Sequence, residues 1–352
     1  DKIYSLGLSQ TVEANPNVTW EVANMYNAGF EAMLLNHKLT LNTDFFYQRR
    51  KNILIKRNAS VPQYTGIQLP DENYGVVDNR GFEVELGYAN KIKDFSYSVN
   101  TNFAFARNKV KEFDEPAKNV PWQELTGHPM GTQLLYKANG IFRDVEQINN
   151  TPHVSGARPG DIIIEDINKD GEITNDDRIR FPKTTNPEIT YGISFDLQYK
   201  NWGLNGLIQG AGESMRRMYF QLQGMAGNYF EYDAIGRWTP DRIDAKKPRA
   251  FDRNDAYWRS DYMTNYSYQS TEYARMKNLE LSYILPKYLQ QKLKLNNAQI
   301  YLSGQNLFLI YSKNKITDPE LGGNNDLMGE YDSNAALHPL MKVFAIGARI
   351  SF

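Results

Sequence analysis

The residues with the clearest potential for chemistry form an acidic segment in the middle of the chain. Gly171 lies within it and permits a sharp turn, which lets surrounding oxygens converge on one ion. Five residues around that glycine could supply oxygen ligands: Asp166, Asn168, Asp170, Glu172 and Asp177. They match positions 1, 3, 5, 7 and 12 of a calcium loop, with the glutamate acting through its backbone carbonyl. The spacing therefore predicts a calcium site, with magnesium as the less suitable ion.

The surroundings of this segment differ from those of a helix–loop–helix calcium site. Ile162, Ile163 and Ile164 precede it and predict a strand. Asp177 is shorter than the glutamate usual at position 12, and binding through one oxygen would weaken the site. The alternative is an acidic turn held by hydrogen bonds from its own side chains to the backbone. If a cation binds, we expect it to stabilise the long loop that contains this segment and to have no catalytic role.

Other residue types that carry catalysis are present but are not arranged for it. Glu83 and Glu85 project from one face of a predicted strand. They could act as an acid–base pair, but the simpler interpretation is that they are hydrated carboxylates. The chain has no cysteine, and its four histidines lie far apart, at His37, His128, His153 and His338. No nucleophile elbow, phosphate-binding loop or zinc-protease motif occurs. The sequence therefore argues against an enzyme.

A second candidate site is a long region, about residues 213–270, that is rich in aromatic side chains and arginine. Aromatic faces stack on sugar rings or on peptide side chains, and such surfaces bind ligands when they line a concave site. The alternatives are an outer loop packed on itself or against a partner that covers it. The candidate substrate contacts are Tyr219, Phe220, Tyr229, Phe230, Trp238, Tyr257 and Trp258.

These candidate sites must be positioned by β-strands. From Ile189 to Tyr199 every second residue is apolar, and the residues between are polar or small. That period of two is typical of a strand with one apolar and one wet face, and its length suits a tilted crossing of a bilayer. No run of about eighteen apolar residues occurs, which excludes a membrane helix. A transmembrane β-barrel remains, because its lumen and lipid faces alternate along each strand.

The connections between predicted strands alternate in length. About ten antiparallel strands are expected, from Ile3–Gln10 to Met341–Phe352. Connections near residues 36, 92, 201 and 290 are short, whereas 57–74, 107–187, 213–270 and 312–340 are long. Outer-membrane barrels have short periplasmic turns and long outer loops, so a single orientation explains all of them. The terminal Phe352 on an alternating strand also resembles the C-terminal signal of outer-membrane proteins.

Several motifs, in order along almost the whole chain, carry a family resemblance. The motifs are Asn15–Glu21, Asn27–Glu31, Asn79–Glu83, Pro159–Asp161, Asp166–Ile173, Tyr273–Leu279, Gln305–Leu307, Asp318–Glu320 and His338–Pro339. Together they resemble the SusC-like TonB-dependent transporters of the Bacteroides group. The resemblance covers only the C-terminal part of such a transporter, whose barrel has 22 strands around a plug. We therefore expect residues 1–352 to be a piece that lacks the plug, the TonB-contacting segment and the first barrel strands.

The resemblance also implies a function and partners. It implies import of oligosaccharides across the outer membrane, delivered by a SusD-like surface lipoprotein and driven by the TonB complex. Import of oligopeptides by the same mechanism is the alternative. The expected contacts are thus the N-terminal part of the same transporter, the lipoprotein, the TonB complex, the cargo and membrane lipid. Nucleic acid is not expected, because Lys plus Arg number 40 against 41 for Asp plus Glu.

Two other protein classes fit parts of the pattern. A secreted adhesion or glycan-binding β-module with a calcium-fixed loop would be soluble without detergent, and its loop lengths would follow no single orientation. A passive porin would share the barrel but would lack a plug in its complete gene product.

Overall fold

The computed structural model describes residues 14–57, 70–217, 231–250, 264–314, 318–320 and 340–352. The predicted first strand, Ile3–Gln10, lies outside these residues. None of the helices in the described part of the chain has both the length and the apolar composition that crossing a bilayer requires.

The described chain consists mainly of β-strands, with three short α-helices and a few single turns of 3-10 helix. In chain order the elements are β1 (Val22–Leu34), β2 (Leu39–Lys56), β3 (Asp71–Ile92), β4 (Phe95–Glu112), β5 (Leu134–Tyr136), β6 (Ala138–Ile141), α1 (Val145–Asn149), β7 (Ile162–Ile164), β8 (Arg178–Arg180), β9 (Ile189–Tyr199), β10 (Trp202–Gly212), β11 (Met215–Arg217), α2 (Glu231–Ala234), β12 (Tyr268–Ser270), β13 (Tyr273–Ile284), α3 (Lys287–Lys292), β14 (Asn297–Ser312) and β15 (Val343–Ser351).

Nine of these strands form one antiparallel sheet in the order β1-β2-β3-β4-β9-β10-β13-β14-β15. Each of the seven inner strands pairs with the long strand before it and the long strand after it, and β1 and β15 are the edges of this up-and-down meander. The all-β, antiparallel prediction is confirmed. The predicted strand Ile162–Ile164 before the acidic segment is also confirmed, as β7.

Tight turns join the strands at one end of this sheet. Leu35, Asn36 and His37 between β1 and β2 all adopt left-handed backbone angles, with φ of 53°, 55° and 64°. Lys93 (φ 53°) and Lys200 (φ 52°) do the same in the β3–β4 and β9–β10 turns. The predicted short connections near residues 36, 92 and 201 are confirmed, and the one near 290 contains α3. All the long connections leave from the opposite end, as the predicted orientation requires.

Side chains alternate between an apolar and a polar face of the sheet. On the apolar face, Phe195 of β9 pairs with Gly206 of β10, and its ring occupies the space that a Cβ there would fill, 2.5 Å from Phe195 Cζ. On the polar face, Asn102 of β4 covers Gly192 of β9 in the same way. The face assignment read from the sequence is therefore confirmed on β9.

Two strands are longer than the sequence pattern predicted. β3 begins at Asp71, before the predicted end of a loop at Tyr74, and β4 continues past Arg107 to Glu112. In these extensions both faces carry polar residues, so alternation gives no signal. Side-chain contacts stabilise them instead, as between Arg57 Nη1 and Glu72 Oε2 of β3, 3.0 Å apart. β3 and β4 thus extend beyond the apolar part of the sheet.

The best-buried side chains lie outside the large sheet. They form two clusters within the connection from β4 to β9: Tyr136, Val154, Ile162 and Ile164, and Phe142, Ile148 and Ile163. Phe142 has an exposed fraction of 0%, whereas Phe344 and Ile346 on the apolar face of β15 are 70% and 86% exposed. Few apolar side chains of the sheet are buried, Val110, Tyr273 and Ala298 among them, so most of its apolar face requires an apolar surrounding.

The face assignment makes a mutational prediction on β9. Ile193→Arg places a charge near the middle of the strand on the apolar face, and we expect it to impair membrane assembly at a cost of about 2–4 kcal/mol. Ser194→Arg, at the neighbouring position on the polar face, should be tolerated. Heat-modifiable migration of the complete barrel on gels, with urea titration in lipid vesicles, measures both. Equal tolerance of the two variants would contradict the assignment.

Candidate functional site

Two of the long connections pack together at one end of the sheet into what we call the loop layer, the described parts of residues 113–188 and 213–272. Within it β5 pairs with β8, β6 with β7 and β11 with β12. The two connections also contact each other, since Ala138 N donates to Asn265 Oδ1 at 2.7 Å and Trp238 Nε1 donates to Arg143 O at 3.1 Å. This layer is the candidate site, because any ligand entering from that end meets it first.

A network of four charged residues fastens the loop layer to the ends of three strands. Lys183 Nζ lies 2.6 Å from Glu272 Oε1 and 3.2 Å from Glu213 Oε1. Lys313 Nζ lies 2.6 Å from Glu272 Oε2. Glu213 follows β10, Glu272 precedes β13 and Lys313 follows β14, whereas Lys183 belongs to the β4–β9 connection. The network therefore ties the longest connection to three neighbouring strand ends.

Glu272 is the centre of this network and its charge is strongly stabilised. Burial by itself raises the pKa of Glu272, but the hydrogen bonds and charges of Lys183 and Lys313 outweigh it and lower that pKa from 4.5 to about 2. The same contacts raise the pKa of Lys183 against the opposing effect of burial. An acid with a lowered pKa stabilises the fold above its unfolded pKa and loses that contribution as the pH falls through the folded value.

A second ion cluster holds Asp318 and Glu320 against β13. Arg275 Nη2 lies 2.6 Å from Asp318 Oδ2, and Arg275 Nε lies 2.8 Å from Glu320 Oε1. Lys277 also forms an ion pair with Glu320. The Arg275 side chain is only 4% exposed, so its charge is held almost entirely by these two carboxylates. Two of the short motifs noted in the sequence are thus in direct contact.

The acidic segment forms a compact turn that satisfies its own backbone. Asp166 Oδ1 accepts from Lys169 N at 2.7 Å, and its Oδ2 accepts from Gly171 N at 2.9 Å. Asn168 Oδ1 accepts from Asp170 N at 3.1 Å, and Asp170 Oδ1 accepts from Glu172 N at 2.9 Å. Gly171 has a φ of 89°, which is the sharp turn expected at position 6. These hydrogen bonds stabilise the turn.

Asp177, the expected ligand at position 12, lies at the base of this turn. It is fully buried, and its oxygens accept from Ile167 N at 2.8 Å and Thr174 N at 2.7 Å. Counting only His, Cys, Asp and Glu of the described residues, no group of three is placed to hold a metal ion. A bound cation would therefore depend on the Asn168 amide and the Glu172 carbonyl as well as on carboxylates. Calcium binding stays a prediction.

Among the seven predicted substrate contacts, only Trp238 lies within the described residues. Its indole N–H is bound to Arg143 O, and its ring covers Gly160, whose φ of 89° and lack of a Cβ allow that approach. Trp238 thus joins the two connections of the loop layer, and any contact with a ligand would use the remaining part of its ring. The other six residues, Tyr219, Phe220, Tyr229, Phe230, Tyr257 and Trp258, lie outside the described residues.

The structure adds a polar cleft that sequence reasoning missed. It has a volume of about 560 Å³ and lies between the end of α1 and the acidic turn, with Asn149, His153 and Glu172 among its lining residues. Its amide, imidazole and carboxylate groups can bind hydroxyl or amide groups of a ligand. No signal in the sequence points to this cleft, because Asn149 and Glu172 are 23 positions apart and the calcium-loop spacing that includes Glu172 does not extend to Asn149.

The remaining titratable candidates are not assembled for catalysis. Glu83 and Glu85 lie on the polar face, where Glu83 faces Asp44 across the strands and Glu85 Oε2 accepts from Asn42 Nδ2 at 3.4 Å. That arrangement fits hydrated carboxylates. His37 lies in the β1–β2 turn, and His338 lies outside the described residues.

The charge network at the strand ends predicts a pH dependence. We expect the β8–β9 segment to lose protection from hydrogen exchange as the pH falls from about 4.5 towards 2, because protonated Glu272 releases Lys183 and Lys313. Glu272→Gln should show that loss already at pH 6, at roughly 1–2 kcal/mol. Exchange measured by mass spectrometry on the complete protein, corrected for intrinsic rates, tests this.

Glu165→Gln is the matched control for that experiment. Glu165 pairs with Lys137 at 2.9 Å within the loop layer, but both side chains are substantially exposed, so the pair contributes little. Equal loss of protection in the two variants would show that the network does not fasten the layer.

Calcium binding to the acidic turn is tested by thermal unfolding of the complete protein with calcium and with chelator. We expect calcium to raise the midpoint with an affinity of roughly 0.1–1 mM, as in extracellular calcium modules. Asp170→Asn should abolish that shift. Asp176→Asn, which changes a neighbouring carboxylate outside the ligand set, should retain it. An unchanged midpoint in calcium would leave the turn explained by its hydrogen bonds alone.

The chain is similar in sequence to known proteins over almost its whole length. Residues 3–307 match the family described as TonB dependent receptor-like, beta-barrel. TonB-dependent receptor P3 of Formosa agariphila is 28% identical over 366 residues, which cover 98% of this chain and 36% of that protein. TonB-dependent receptor SusC of Bacteroides thetaiotaomicron is 22% identical over 357 residues, covering 96% of this chain and 32% of that protein. The chain thus spans about a third of the length of these relatives.

The fold is also similar to a solved structure. The RagAB peptide importer in its open-open state superimposes with a TM-score of 0.70 at 22% sequence identity, over 98% of this chain and 36% of that one. At this identity the likeness concerns the fold, and it agrees with the single meander of long strands and with the long connections at one end. The family match covers most of the described strands, and this chain therefore belongs to the TonB-dependent receptor β-barrel family of the bacterial outer membrane.

Proposed function

We propose that this chain is the C-terminal part of the wall of a TonB-dependent importer, completed by an N-terminal part that carries the plug. The observation that carries the proposal is the division of one sheet into an apolar and a polar face, with all long connections at one end. A wall of this kind separates lipid from a wet lumen and places a loop layer at the outer mouth. The TonB complex would act on the plug.

The polar face is suited to large hydrated cargo. Asn100 and Asn102 project over Gly87 and Gly192, so their amides lie on the lumen side of the wall. Asn205 pairs with Asp196 and Glu280 across the neighbouring strands, which continues the polar surface. Amides and carboxylates bind hydroxyl groups and peptide groups equally well. This surface supports import of an oligomeric, hydrogen-bonding nutrient.

For the cargo we propose oligosaccharides, with oligopeptides as the alternative. The resemblance to SusC-like transporters favours a glycan. The polar cleft of about 560 Å³ can bind the hydroxyl groups of a glycan or the amide groups of a peptide, so it suits both cargoes. The fold similarity to a peptide importer supports the alternative. In both cases we propose that a SusD-like surface lipoprotein covers the outer mouth and delivers the cargo, with the loop layer as its contact surface.

Uptake in the native host tests the proposed mechanism. Cells that carry the complete gene should take up labelled oligosaccharide only while the inner membrane is energised, so an uncoupler or loss of TonB should stop uptake. Competition with an unlabelled oligopeptide pool then separates the two cargoes. A deletion strain that carries an unrelated porin is the control for passive entry. Uptake that persists without TonB would identify a passive pore, and a water-soluble, detergent-independent protein would identify a secreted module.

A further inference from the structure

A basic surface lies on the apolar face of the sheet, beyond its aromatic part. Phe45, Phe82 and Phe105 form a row across β2, β3 and β4, with ring centroids 6.2 and 5.8 Å apart. In the next row Arg80 pairs with Arg107, and in the row after that Asp78 pairs with Lys109. The basic residues therefore lie directly beyond the aromatic row, in the direction of the long connections.

Direct contacts show that these charged residues share the face of the aromatic row. Arg107 Cζ lies 5.5 Å from the centroid of the Phe105 ring. Asp78 binds Arg49 through two hydrogen bonds, from Nε at 2.7 Å and from Nη2 at 2.8 Å. Since residues two apart on a strand project to the same side, Arg80 lies on that face between Asp78 and Phe82. Lys111 lies at a shift in the β3–β4 register, where its charge acts on Asp78.

The charges on this surface do not cancel. Asp78 is held by Arg49, and Glu188, at the edge of the surface, is held by Arg107 through two nitrogens at 2.8 and 2.5 Å. Arg80, Lys109 and Lys111 are exposed, and in the described part of the chain no carboxylate forms an ion pair with them. The whole chain has a net charge of −1, so this excess is local and does not reflect composition.

The height of the surface corresponds to the boundary of a membrane. From Leu39, next to the tight turn, to Arg49 there are ten steps along β2. At about 3.4 Å per residue and a tilt of about 40°, these steps rise roughly 26 Å. The apolar band of an outer-membrane barrel is about 25 Å tall. The basic surface therefore lies at the level of the lipid head groups on the side of the long loops.

We propose that Arg80, Lys109 and Lys111 form a binding site for the phosphate groups of lipid head groups in the outer leaflet. Arginine matches two phosphate oxygens with its planar fork, and lysine adds a point charge. Basic residues next to a membrane-spanning segment attract anionic head groups. Arg49 and Arg107, already bound to carboxylates, lie on either side of the site. The site concerns lipid and does not depend on the cargo proposed above.

The aromatic row explains why the ligand is a lipid and not free phosphate. Phe103, in the row below Phe105 on β4, is 37% exposed, and Phe45 on β2 is 58% exposed. Acyl chains attached to a phosphorylated glycolipid would cover this apolar surface while the phosphates contact the basic residues above it. A free phosphate ion could use only the basic residues, where water and salt compete strongly.

Native mass spectrometry of the complete protein in detergent tests the proposal. The probes are bisphosphorylated lipid A, the same lipid with its phosphates removed, and inorganic phosphate. The variant is the combined Arg80→Gln, Lys109→Gln and Lys111→Gln substitution. The control is Lys38→Gln, Lys91→Gln and Lys93→Gln, which removes the same charge at the tight-turn end. Heat-modifiable migration establishes that both variants form a barrel.

We expect the bisphosphorylated lipid to bind wild type and control alike, and the basic-surface variant at least about tenfold more weakly. The dephosphorylated lipid should bind all three proteins weakly. Equal binding to the basic-surface variant and to wild type would overturn the proposal, and so would equal binding of the two lipids. Inorganic phosphate that competes at concentrations similar to the lipid would show that acyl chains have no part, which would also overturn it. None of these outcomes bears on the proposed import function, which the uptake assay tests separately.

Discussion

The structure depends on one constraint: the backbone of every strand that crosses the membrane must form its hydrogen bonds with another strand. No water is available in the hydrocarbon region, and each unpaired N–H or C=O there costs several kcal/mol. The seven inner strands meet this constraint on both sides within one continuous meander, and β1 and β15, at its edges, meet it on one side. Because the backbone alone holds the sheet, its side chains are free to differ completely on the two faces. That freedom explains why large apolar residues are exposed on the wall.

The loop layer obeys the opposite rule. It has buried clusters around Ile162 and Phe142, short strand pairs of its own, and ion pairs at its contacts with the wall. Water surrounds it, so burial of apolar side chains supplies its stability. Charge-assisted contacts such as Lys183–Glu272 fasten it at strand ends, where lipid no longer excludes water. The molecule thus combines two kinds of folding within one chain.

The sequence predicted a strand correctly where the alternation of apolar and polar residues was the dominant signal. Alternation predicted β9 from Ile189 to Tyr199 with the bounds observed, because the lipid and lumen faces differ sharply there. It failed at the outer ends of β3 and β4, where both faces meet water and the pattern disappears. The acidic turn was visible from its spacing, but the partners of Asp177 were not, since they are backbone N–H groups. The pairing of Lys183 with Glu272, 89 positions away, has no local signal at all.

The two ends of the β4–β9 connection lie side by side. Phe105 pairs with Ile189, Ala106 N donates to Glu188 O at 2.9 Å, and Arg107 binds Glu188. A segment whose entry and exit are adjacent and which has its own core can be lengthened, shortened or exchanged without moving the strands on either side. This outer unit can therefore vary in length and sequence between related chains, while the strand pairing of the wall stays the same.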